Sequence, residues 1–151
     1  MAKVWIYQAD RFLTDKEVSE ITDKIDVFTL GWNAHGSSLA GKGYIRDNLF
    51  VIFEVNESEV SASGCSIDKS VAFLKDIEKQ YNISLFDRYR VAYQDERGRL
   101  KQTDKKDFES LIKSGKVTEK TIVYNNTVTT SEEMKTKWNL PFKDSWHARV
   151  F

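Results

Sequence analysis

The order of its periodic segments predicts that this chain has a mixed α+β fold. Over residues 3–94 the pattern reads strand, helix, strand, strand, helix, strand. The two most apolar runs, residues 4–7 and 49–55, fall on the first and third strands, and apolar runs of that kind suit strands covered on both faces. Both helical segments carry an apolar stripe at three- and four-residue spacing, so each has one face to lay on a sheet.

Val4, Trp5, Ile6 and Tyr7 open the chain as a strand. A helix follows with a clear start signal: Thr14 and Glu17 have the spacing of a capping box, and Leu13 and Val18 that of a hydrophobic staple. Val18, Ile21, Ile25 and Phe28 form its buried stripe, and Gly31 ends it. Residues 33–43 contain Gly36, Gly41 and Gly43 and read as a loose loop. A short strand at 44–46 turns through Asp47 and Asn48 into the strand at 49–55.

A serine-bearing loop over 56–65 leads into a helix over 66–80, with Ile67, Val71, Leu74 and Ile77 on its apolar face. Residues 89–93 are the fourth strand, and a turn at Gly98 predicts that residues 100–102 pair back as a hairpin. This βαββαβ order is that of a ferredoxin-like core, whose middle strands are the first and third. Residues 95–151 add a helix over 104–114, a strand over 121–124, a short helix over 131–138 and a tail. Three short elements bury too little apolar area to stand alone. This α/β extension is therefore expected to pack on the core, making residues 1–151 a single domain.

Composition excludes several functions. Lys+Arg and Asp+Glu each number 23, so the formal charge is zero and the chain lacks the basic footprint of a nucleic-acid binder. No apolar run approaches the roughly 18 residues of a membrane-spanning helix, so no membrane insertion is expected. Cys65 is the sole cysteine and the chain opens directly into a strand, which together place the expectation in the cytoplasm. One Cys and two His, without close spacing, predict no metal site and no cofactor.

Two stretches invite chemistry. Residues 36–43 nearly spell a phosphate-binding loop, but Gly43 stands where a Mg²⁺-binding hydroxyl belongs, and a helix precedes the stretch where a strand should. Cys65 lies at the entry to the second helix, where the dipole favours a thiolate. Paired with His35 as base it would be a candidate catalytic thiol, with Ser63, Gly64, Ser66 and Asp68 as candidate anion-binding residues. Free cysteine is more often an inert small hydrophobe. The strand order is also that of the RNA-recognition motif, with Trp5 at the first-strand aromatic position and Arg46, Phe50, Val51 and Phe53 at four third-strand positions. Asp47, Asn48 and Leu49 break that motif.

Nearly the whole chain resembles a group of small Bacteroidetes proteins commonly labelled "ABC transporter ATPase". The resemblance rests on Val4-Trp5-Ile6-Tyr7-Gln8-Ala9-Asp10-Arg11, on Trp32 with Ala34-His35-Gly36, and most specifically on Ser63-Gly64-Cys65-Ser66-Ile67-Asp68. Phe86-Asp87-Arg88, Asn125-Asn126, Ser145-Trp146 and Ala148-Arg149 continue it. That label implies ATP hydrolysis. The residues themselves predict none, because residues 36–43 are the nearest approach to a phosphate loop and lack its hydroxyl. In the last third, Phe108, Leu111, Ile112, Gly115, Val117, Thr121 and Val123 resemble the rhythm of GYF-like adaptor domains, which implies a peptide-binding role.

The resulting expectation is a non-catalytic cytosolic domain that binds a small molecule or a protein. A thiol enzyme using Cys65 with His35, and an RNA binder using Trp5 and Phe50, are the alternatives.

Overall fold

A computed structural model describes residues 2–151. It is a mixed α+β structure with antiparallel sheets and five α-helices among the described residues. Strand β1 (Ala2–Gln8) is followed by helix α1 (Asp15–Leu30). Thr14 and Glu17 form the expected capping box, and Glu17 also holds Arg11 through two bonds of 2.8 Å. Gly31 caps the far end of α1.

Residues 33–43 are more ordered than a loose loop. The short strands β2 (Asn33–Ala34) and β3 (Ser37–Ser38) pair around His35 and Gly36, whose φ angles are 51° and 79°. Strand β4 then runs over Ala40–Arg46, four residues longer at its start than the sequence suggested. Gly41 and Gly43 belong to this strand because layers approach closely there. A Cβ on Gly43 would lie 2.5 Å from Ile25 Cγ2, and one on Gly41 would lie 2.8 Å from the Trp32 ring. These glycines admit packing rather than loosen the backbone, and no phosphate-cradling loop forms.

Asp47 and Asn48 both have positive φ, 56° and 54°, as a two-residue type I′ hairpin turn requires. The turn leads into β5 (Phe50–Asn56), which lies between β1 and β4 and is antiparallel to both. Trp5 pairs with Phe53 and Gln8 with Phe50. Alternation therefore sends Trp5, Tyr7 and Phe53 to one face and Val4, Gln8 and Phe50 to the other. On the first face Phe53 packs against Phe28, Trp32 and Phe73 of the helical layer. On the second, Phe50 packs against Tyr124 and Trp138 at ring separations of 5.3 and 5.0 Å. The main core thus includes Tyr124, Val128 and Trp138 of the C-terminal third.

Helix α2 spans Gly64–Tyr81 and ends at Asn82 in a left-handed cap. The strand expected next, β6 (Val91–Gln94), does not join β1. It pairs with β7 (Leu100–Thr103) in the expected hairpin and with β8 (Ile122–Tyr124), in a sheet ordered β7-β6-β8-β9. Strand β9 is Asn139–Pro141. Helix α3 (Lys105–Lys113) buries Phe108 in a small second core with Val91, Val117 and Val123. Helix α4 (Ser131–Lys137) and the terminal turn α5 (His147–Val150) complete the chain. The six-element βαββαβ sheet is therefore not closed by its fourth strand. Residues 83–90 carry the chain across the layers, with Asp10 N donating to Ser84 O, and Val91 is buried in the second core.

Candidate functional site

The consequence is an open edge on β1. Val4 N donates away from β5, to Thr129 O at 2.9 Å, and Asp10 N donates to Ser84 O at 3.1 Å. Ala9 N, by contrast, turns to Leu49 O on the β5 side. Strand alternation places the amides of Ile6 and Gln8 on the outward edge with those of Val4 and Asp10. Neither has a partner among the described residues.

Beside this edge lies a cleft of about 760 Å³, within the size range of ligand sites in proteins. Residues 3–8 of β1 form one side. Leu85, Phe86, Asp87, Arg88, Tyr89 and Arg90 form the rim, and Tyr124, Asn126, Val128, Trp146 and His147 line the wall given by the C-terminal third.

The polar chemistry of the cleft follows from a chain of side-chain bonds. An indole N–H can only donate. Trp138 Nε1 donates to Asn126 Oδ1 at 2.9 Å, which fixes the Asn126 amide and sends its Nδ2 to Gln8 Oε1, also at 2.9 Å. Gln8 is 5% exposed, and its own Nε2 is left without a partner. Trp146 Nε1 is the other buried side-chain donor without a partner among the described residues, and it belongs to the same cleft. Two unpaired buried donors in one cleft are costly, each by about 1–3 kcal/mol, and natural proteins leave few such groups.

His147 is fully buried and stacks on Trp146 at 3.9 Å. Burial lowers its pKa to about 4, so the ring is neutral near pH 7. Ser145 Oγ lies 3.0 Å from both Phe142 O and His147 Nδ1. So weak a base suits hydrogen bonding better than proton abstraction. Tyr7 is neutral too: burial raises its pKa, and the Ser70 hydroxyl offsets this only in part.

Charge in the cleft is predominantly positive. Lys3, Arg88 and Arg90 face a single acid, Asp87. Arg90 is held by neutral oxygens, Asp10 O and Gln102 Oε1, and Lys3 reaches Glu57 only at 3.8 Å. Arg88 is exposed and has no ion-pair partner among the described residues. A second recess of about 430 Å³ lies by Tyr44, Arg46, Glu54 and Trp138. Several of its polar groups are already engaged: Tyr44 donates to Glu54, which also pairs with the neighbouring Lys42, and Arg46 lies over the Trp138 ring.

The candidate catalytic and anion-binding residues lie elsewhere. Cys65 is exposed in the first turn of α2 and lines neither recess. No hydrogen bond joins it to His35, which sits exposed in the β2–β3 turn. Ser63 and Ser66 are committed to a reciprocal cap: Ser66 N donates to Ser63 Oγ at 3.1 Å and Ser63 N to Ser66 Oγ at 2.8 Å. Gly64 has open space around it and Asp68 is exposed. Trp5 and Phe50 point to opposite faces of the sheet, and Phe50 is covered, so the paired stacking platform of an RNA-recognition motif is not formed. No group of three or more His, Cys, Asp or Glu among the described residues could hold a metal ion.

Comparison with family models, with curated proteins and with solved structures finds no match. Among the described residues no helix is long and apolar enough to cross a membrane.

Proposed function

We propose that this chain is a non-catalytic binding domain whose ligand occupies the cleft beside β1. The observation that carries the reading is that Gln8 and Trp146, whose side-chain N–H groups are buried and unpartnered, both line one cavity. A ligand whose acceptor oxygens reach these groups on a small side-chain rotation relieves both, and the surplus of Lys3, Arg88 and Arg90 over Asp87 favours an anion. On this reading β1, α1, β4, β5 and α2 are a ferredoxin-like arrangement in which the place of the fourth strand serves as the binding site. The cleft contains no thiol, and its one imidazole is too weak a base for proton transfer near neutrality.

The test is a titration of ¹⁵N-labelled protein with N-acetylglycine, a small carboxylate that also carries an amide. The indole N–H signal of Trp146 and the side-chain amide of Gln8 should move together. The indole of Trp32, already bonded to Ser66 O at 2.8 Å, should stay. No movement at Trp146 and Gln8 up to millimolar probe would refute the reading.

A further inference from the structure

The open edge of β1 is unusual in its chemistry. Proteins protect exposed strand edges with charge, proline, bulges or a covering element. Over residues 4–7 this edge reads Val-Trp-Ile-Tyr, with no charge and no proline, and its pairing with β5 runs without a bulge from Ala2 to Gln8. Cover stops on both sides of it: Thr129 bonds Val4 at one end and Ser84 bonds Asp10 at the other. At roughly 3.3 Å per residue, that gap of six steps is about 20 Å long. A fixed strand would have filled it had β6 joined this sheet.

The donors available in the gap are of two kinds. The backbone of Ile6 and Gln8 offers alternating N–H and C=O groups, which a second backbone in extended form matches. Among the charged side chains cations outnumber acids, with Arg88, Arg90 and Lys3 against Asp87, and Gln8 and Trp146 carry unpartnered N–H donors. The walls on either side of the gap are apolar and aromatic, with Tyr7, Val71 and Phe86 towards the helices and Tyr124, Val128 and Trp146 opposite. A strand sends alternate side chains to opposite sides, so both walls would be filled by one segment.

We propose that the cleft takes an extended, acidic peptide segment of a partner protein, which pairs its backbone with the open edge of β1 at Ile6 and Gln8 and places carboxylates against Arg88 and Arg90. This rests on the reading of the cleft as a binding site and names its ligand. About four residues are enough to span the two free amides between the Thr129 and Ser84 contacts. Backbone pairing supplies affinity in this mode, and the side-chain pockets supply preference.

The test uses the full chain and an equimolar pool of acetylated, amidated hexapeptides in which Asp or Glu alternates with apolar residues. A matched pool carries Lys or Arg at the acidic positions, and a third is N-methylated at its central amides to block strand pairing. N-acetylglycine is the small-acid arm. The Trp146 indole signal and the exchange rates of the Ile6 and Gln8 amides are the readouts. The acidic pool should shift the indole and slow both amides. The basic and N-methylated pools should do neither. Arg88→Ala, at an exposed position, should weaken binding of the acidic pool about tenfold, the loss expected of one charge-assisted bond.

If N-acetylglycine shifts the Trp146 indole but the acidic pool leaves Ile6 and Gln8 exchanging freely, the occupant is a small acid; the peptide inference falls and the binding reading stands. If neither probe moves the indole, both fall. If Ile6 and Gln8 become protected on concentrating the protein alone, the edge pairs with a second copy of the chain, and the partner-peptide inference is overturned.

Discussion

Asn126 Nδ2 donates to Gln8 Oε1 at 2.9 Å, joining the first strand to the C-terminal third across 118 positions of sequence. Trp138 holds Asn126 from behind. The Gln8 amide is thereby oriented with its nitrogen buried and unpaired beside the cleft.

That arrangement gives the first expectation. Gln8→Met keeps the volume, deletes the unpaired donor and also deletes the bond to Asn126. The two effects oppose each other, since one unmet donor, Gln8 Nε2, is removed while another, Asn126 Nδ2, loses its acceptor. Chemical denaturation should show a stability change of no more than about 1 kcal/mol, while the N-acetylglycine response of Trp146 should be lost. A large loss of stability would mean that Gln8 is structural and not held in readiness for a ligand.

Gly43 and Gly64 should behave oppositely on replacement by alanine. A methyl on Gly43 meets Ile25 at 2.5 Å and the Phe53 ring at 2.9 Å. Gly43→Ala should cost about 1–3 kcal/mol through overpacking between α1 and the sheet. Gly64 begins α2 with nothing within 4 Å of an added Cβ. Gly64→Ala should be neutral or stabilising by up to about 1 kcal/mol. Urea unfolding midpoints of the two variants decide it.

The residues around Cys65 should prove structural. Ser63→Ala removes the α2 cap and should cost about 1 kcal/mol. Cys65→Ser, at an exposed position without a hydrogen bond, should change stability by less than about 0.5 kcal/mol and leave the Trp146 response intact. Loss of that response in Cys65→Ser would reopen the thiol as a functional group.

Stability should also fall in mild acid because of His147. Its folded pKa, about 4, lies below the ordinary 6.5, so the unfolded state takes up a proton first. The contribution is complete above pH 6.5, declines as pH drops from there towards 4, and levels off below. Over that whole range it amounts to roughly 3 kcal/mol. Between pH 6.5 and 5, before most carboxylates titrate, the urea midpoint should drop in the wild type. In His147→Gln that slope should flatten, whatever the variant's stability at pH 7.

Much of the local structure was legible in the sequence. Thr14 with Glu17, the Asp47–Asn48 turn, Gly31 and the apolar stripe through Ile21 and Ile25 each act over a few residues, and each is found as expected. The partner of β6 was not legible. Val91 and Ala92 are buried either way, and period alone does not say which sheet they join. Gly41 and Gly43 misled for a related reason: a glycine that admits a helix looks in sequence like one that loosens a loop. The cleft was still harder to foresee. Gln8, Asn126 and Trp146 lie far apart in the chain and carry no motif spacing, and only the packing of the C-terminal third brings them together.

Hydrogen exchange at two backbone amides tests the central claim most directly. In the free protein, Ile6 and Gln8 should exchange orders of magnitude faster than Trp5, Tyr7 and Ala9, which face β5, and faster than Val4 and Asp10, which are bonded to Thr129 and Ser84. That pattern would establish an open edge at the place where a ligand is proposed to bind. Equal protection along the whole strand would mean that the edge is already covered, and the proposed binding site would be lost with it.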